Sequence, residues 1–146
     1  AAGAMGPVIA WAAASGGLTL APILMFLIIF LWTPPHFWAL ALCVKDDYRT
    51  VGIPMLPIVK GDAETYRQIE VYSAALVVLT LAMPFLRVGG LVYALLALGL
   101  GGVFLWKVVQ ARRQATVRAA WGVFGYSIVY LLALYAVMIV DALVRR

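Results

Sequence analysis

Leu31-Trp32-Thr33-Pro34-Pro35-His36-Phe37-Trp38 lies inside an apolar run that extends from Leu18 to Val44. A run of that length can cross a bilayer. Prolines remove backbone donors, and an imidazole in hydrocarbon is costly. Such a defect is tolerated in lipid only where protein or a water-lined cavity surrounds it. The run ends at Lys45-Asp46-Asp47-Tyr48-Arg49, where the chain meets water. The two features together predict a cavity inside a membrane with a polar site at its mouth.

The composition agrees. Of 146 residues, 66% are hydrophobic and only 12% are charged. A soluble domain of this size needs many more charges to cover its surface. The fold class expected is all-α, a polytopic bundle of transmembrane helices. The net charge of +5 does not indicate nucleic acid, because Lys and Arg in membrane proteins gather in cytoplasmic loops. The single cysteine, Cys43, excludes an internal disulfide and reads as a small apolar residue near a helix end. The first residues show neither a basic leader nor an initiating methionine, and read as the middle of something longer.

Outward from the central run, residues 1–17 read as the end of a truncated span and a turn at Ser15-Gly16-Gly17. Span A covers 18–44, broken near Pro34-Pro35, and a loop follows over 45–62. Spans B, C and D cover 63–86, 91–109 and 121–143, making four complete spans plus the end of a fifth. Asp62 reads as the N-cap of span B, Glu64 suits its positive end, and Arg67 is spaced to pair with Glu64 and Glu70. Gly99, Gly101, Gly102, Gly122 and Gly125 read as small faces for close helix packing. Tyr126 and Tyr130 share one face of span D as packing or interface residues, and Asp141 is spaced to pair with Arg145.

Alternating spans place Lys45, Arg49, Lys60, Arg67, Lys107, Arg112, Arg113 and Arg118 on one side. Arg87, Arg145 and Arg146 fall on the other. The positive-inside rule then puts the Asp46-Asp47 segment in the cytoplasm, or in the matrix of a mitochondrion, and the C-terminus opposite.

Adjacent carboxylates flanked by cations at a membrane surface suit a Mg²⁺–diphosphate complex, since Mg²⁺ shares one or two carboxylates with substrate phosphates. Asp46 and Asp47 are the candidate metal ligands. Lys45, Arg49 and Lys60 are candidates for the remaining oxyanion charge. A solvated interfacial loop is the plainer account of the same residues. Gly52-Ile53-Pro54-Met55-Leu56-Pro57 is stiff and apolar enough to act as a lid. His36 is either a hydrogen-bonded structural residue or a functional one. If the helix resumes after Pro35, His36 and Asp47 share a face about 16 Å apart, room for an apolar ligand with an anionic head. Trp32, Phe37 and Trp38 either pack in the core or wall a flat hydrophobic substrate. No Walker loop, HExxH, CxxC or Ser/His/Asp arrangement supports hydrolytic or nucleotide chemistry.

The string Trp32-Thr33-Pro34-Pro35-His36-Phe37-Trp38-Ala39-Leu40-Ala41-Leu42, then Asp46-Asp47-Tyr48, then Gly52-Ile53-Pro54-Met55-Leu56-Pro57 closely resembles the protoheme IX farnesyltransferase (heme O synthase) family. That family belongs to the intramembrane aromatic prenyltransferases. Gly6-Pro7-Val8-Ile9-Ala10-Trp11 is similar to the segment before this signature. The resemblance implies a nine-helix bundle, of which this chain holds the C-terminal half, and transfer of farnesyl from farnesyl diphosphate to heme B. It implies Mg²⁺ at Asp46 and Asp47 with Lys45 and Arg49 assisting, and a second polar motif in a missing N-terminal half. Thr50 and Val51 depart from the spaced DxxxD form of the wider superfamily. Heme contact falls to His36, with Trp32, Tyr48 and Lys60 as further binding residues. The half alone is expected to be inactive. The alternatives are prenylation of a quinone or chlorin precursor, and a non-catalytic transporter or heme-handling subunit.

Overall fold

A computed structural model describes residues 2–17, 19–50 and 52–144. A 3₁₀ turn, Ala2–Met5, leads into α1 (Gly6–Ser15). Then come α2 (Leu20–Thr50), a short α3 (Leu56–Val59), α4 (Gly61–Ala82), α5 (Leu91–Gln114) and α6 (Val117–Val144). No strand occurs among the described residues. The expected all-α bundle is what the chain forms.

Four long helices close into a ring: α2 packs on α4 and α6, and α5 packs on the same two. α1 lies outside the ring, against α2. The core between them holds Ile28, Leu76, Tyr93, Phe104, Tyr130 and Leu134, all fully buried. Outward faces are the reverse of a soluble protein's, with Phe85, Leu91, Val78 and Leu132 exposed. Lipid is the solvent those faces suit.

By length and apolarity α2, α5 and α6 can each cross a membrane. The 31 residues of α2 rise about 46 Å, well beyond a hydrocarbon core of about 30 Å. The expected span B is the exception. Asp62, Glu64, Arg67 and Glu70 occupy the first turns of α4, and it falls short of a spanning helix by composition. Its apolar part follows, ending in turns through Arg87.

Several expectations are corrected. α2 is not broken at Pro34-Pro35 but runs through both. The surroundings explain this. Pro35 is buried, the Thr33 hydroxyl donates to the Ile29 carbonyl (2.6 Å), and Trp32 and His36 tie this turn to α6. Neighbouring helices and hydroxyls of this kind sustain a proline-bearing helix in lipid. The 45–62 loop is shorter than expected, because α2 continues to Thr50. The stiff 52–57 stretch becomes a turn with Gly52 at φ 70°, followed by α3. Asp62 is not an N-cap. Lys60 holds that position without a side-chain cap, and Asp62 sits in the first turn of α4 paired with Lys45.

Of the five glycines expected to bring helices together, only Gly101 does. A Cβ there would lie 2.8 Å from Val77 Cγ1, so α5 approaches α4 where no side chain fits. Gly99, Gly102, Gly122 and Gly125 face open space. Tyr130 packs in the core, with its hydroxyl 3.0 Å from that of Thr80.

Asp141 does more than its spacing suggested. Arg145, its expected partner, lies outside the described residues. The Asp141 carboxylate accepts the Gly90 N–H (2.8 Å) and the Tyr93 N–H (3.4 Å), capping α5 from α6. A carboxylate at a helix N-terminus satisfies orphan donors and complements the dipole. Asp141→Ala is therefore expected to lower the unfolding free energy by about 2 kcal/mol, with Asp141→Asn losing less. Detergent-denaturation midpoints read the difference, and an unchanged midpoint for Asp141→Ala refutes the cap.

Candidate active site

The ends of the helices define two levels. At one level the C-terminal turns of α2 meet the start of α4. The Lys45 ammonium pairs with the Asp62 carboxylate, joining the two helices across α3. Arg49 lies 3.7 Å from Asp46, one turn back on the same face, and both are exposed. Asp47 projects about 100° further round, so the adjacent carboxylates fan apart rather than converge. The Asp47 side chain is exposed and has no partner among the described residues, while its carbonyl accepts the Thr50 hydroxyl (2.6 Å). Tyr48 is half-buried, and its carbonyl receives the Ile53 N–H (3.2 Å) that folds the connector back. Lys60, exposed between α3 and α4, stands two residues from Asp62.

Five of the expected residues, Lys45 to Arg49, thus share the last turns of one rigid helix, with Lys60 across a short connector. The charges are not equally available. Lys45 is engaged by Asp62 and Arg49 loosely by Asp46, while among the described residues Lys60 and Asp47 have no ion pair. The Arg49–Asp46 pair is exposed, and such pairs contribute about 1 kcal/mol or less, so an incoming anion can compete for Arg49.

The second level lies about 16 Å deeper along α2. His36 stacks between Trp32, with centroids 4.2 Å apart, and Phe124 of α6 at 4.6 Å. Phe37 meets its edge at 5.5 Å. The His36 Nδ1 is 2.7 Å from Ser127 Oγ. That hydroxyl is 2.6 Å from the Phe124 carbonyl and donates to it. A hydroxyl has one hydrogen, so Ser127 accepts from His36, and Nδ1 carries the proton. This tautomer, inferred from the hydrogen-bond network, leaves the lone pair on Nε2. Trp32 Nε1 donates to the Ser127 carbonyl (2.7 Å), locking the same turn of α6. Trp38 packs edge-on against Tyr72 instead.

Ser127 and Phe124 are the members of this group that sequence reading missed. The one available signal was a single serine in the uncharged middle of α6. Cavities of about 550 and about 300 Å³ lie among the described residues. Neither is lined by His36, Asp46 or Asp47.

A model of the UbiA prenyltransferase family matches residues 1–137. The chain belongs to this family. Membership and the apolar helices make it part of an integral membrane protein. The chain is 50% identical over 145 residues to a protein of Erythrobacter litoralis named protoheme IX farnesyltransferase, covering 96% of this chain and 47% of that one. Proteins of the same name from Parvibaculum lavamentivorans and Roseiflexus castenholzii are 48% and 46% identical, with 97% and 96% of this chain covered. The chain spans 46% and 26% of those two proteins, so it corresponds to about half the relatives' length or less. No solved structure matches it.

Proposed function

We propose that the complete protein transfers a farnesyl group from farnesyl diphosphate to a vinyl group of heme B, forming heme O. The observation that carries this reading is the identity of 46–50% over nearly the whole chain with proteins named protoheme IX farnesyltransferase. In the reaction the allylic C–O bond breaks, and diphosphate leaves with the electron pair. The allylic carbon bonds to the vinyl group, and water then adds with loss of a proton.

The residues of α2 have parts to play in this. Asp46 and Asp47 offer hard carboxylate oxygens held by nothing stronger than one loose ion pair, a donor set that fits Mg²⁺. Among the described residues no three His, Cys, Asp or Glu side chains gather at one point, so they supply only part of a coordination shell. Bound there, Mg²⁺ would stabilise charge on the leaving diphosphate. Arg49 and Lys60 bind its oxygens, and Lys45 exchanges Asp62 for the same anion. Tyr48 borders this rim. His36, with Nε2 as acceptor, contacts heme as an iron ligand or a propionate partner through bound water, while Trp32 stacks beside it. The remaining length of the relatives supplies the missing wall and the second polar motif. The basic end carrying these residues faces the cytoplasm of a bacterial inner membrane, or a mitochondrial matrix.

The test is porphyrin analysis by liquid chromatography and mass spectrometry after expressing the complete protein in cells that make heme B but not heme O. Heme O is expected from the complete protein and none from the 146-residue chain alone. A prenylated quinone without heme O, or no prenylated product, overturns the assignment.

A further inference from the structure

The cavity of about 300 Å³ lies between the C-terminal turns of α5 and the start of α6, lined by Trp106, Lys107, Gln110, Gln114 and Gly122 among others. Three features of this place point the same way. The segment from Trp106 to Gly122 contains Lys107, Arg112, Arg113 and Arg118 and no Asp or Glu. Among the described residues, only Arg112 of these has an ion pair, with Glu70. Lys107 is half-buried, and its Nζ lies 5.6 Å from the centre of the Tyr126 ring, with no carboxylate partner among the described residues. Lys107 stands seven residues before the end of α5, about 10 Å below it. Trp106, largely exposed beside it, is a residue type enriched at membrane–water interfaces.

We propose that this groove is a binding site for an anionic phospholipid, unrelated to the prenyl-transfer site at the end of α2. Lys107 meets the phosphodiester, and the Gln110 and Gln114 amides donate to its oxygens or to headgroup hydroxyls. Basic pockets between membrane helices on the positive side recognise lipid headgroups in this manner. Below the groove Val103 and Val129 are exposed and Gly125 leaves open space, so the helices offer an acyl chain a shallow trough.

The experiment is native mass spectrometry of the protein released from nanodiscs of equal phosphatidylglycerol and phosphatidylcholine. Wild type is expected to retain phosphatidylglycerol preferentially. Lys107→Gln should lower that retention roughly fivefold, the effect of one basic side chain at an anionic surface. Lys107→Arg should keep it, which separates charge loss from misfolding, and Arg87→Gln at the opposite end should leave it unchanged. Equal retention of both lipids by wild type, or undiminished retention by Lys107→Gln, refutes the site. Displacement of the lipid by millimolar inorganic diphosphate would also overturn it, in favour of a soluble anion.

Discussion

Asp47→Ala in the complete protein reduces heme O formation by about two to three orders of magnitude, the loss that follows removal of one group stabilising transition-state charge. The protein should still insert and fold. Asp47 is exposed and its carboxylate engages no described neighbour, so its removal should change stability by no more than about 0.5 kcal/mol. This separation makes the prediction informative. Asp46 is less clean, because Arg49 lies 3.7 Å from it and gains freedom when it is removed. Turnover is read as heme O by mass spectrometry, and folding by the helical circular dichroism melt. Near-normal product from Asp47→Ala would mean that the end of α2 is a solvated helix terminus and that the diphosphate is held elsewhere.

His36 supports the second large effect, and here structure and function must be pulled apart. His36→Ala removes the bond to Ser127 and a ring stacked between Trp32 and Phe124. A stability loss of about 1–3 kcal/mol is expected from that alone. If Nε2 also contacts heme, the affinity of the complete protein for heme B should fall well beyond tenfold, seen as loss of the Soret shift on titration. Ser127→Ala is the discriminating variant. It keeps the imidazole but frees its tautomer and tilt, so heme affinity should weaken about tenfold while the spectrum keeps its form. A His36→Ala protein that binds heme as wild type does would reduce His36 to a clamp between α2 and α6.

Much of this molecule follows from local chemistry. Apolar runs longer than a bilayer's width read as helices and are helices. Lys45 of α2 and Arg112 of α5 both pair with acids near the start of α4, as helices that follow one another in opposite directions allow. Asp46, Asp47 and Arg49 form one group because they are neighbours in the chain, whatever surrounds them. The resemblance carried by Trp32 to Pro57 needed no coordinates either, since it rests on the order of residues.

The remaining features depend on which helix lies beside which, and a sequence read one segment at a time has no access to that. Pro34-Pro35 reads as a break because the lost donors are a local cost. The helix continues because Ser127, 91 positions away from His36, brings α6 alongside the weakened turn. The spacing of Asp141 shows only its neighbours along α6, while across the bundle it caps α5 at Gly90, 51 positions away. Gly101 and Gly102 are adjacent and alike in sequence, yet one touches Val77 and the other faces open space, because α4 occupies only one side of α5. Hydrophobic periodicity and charge act over a few residues and determine where helices start, stop and float. The partners of His36, Lys45 and Asp141 arise from the closure of four helices into a ring, which no one helix encodes.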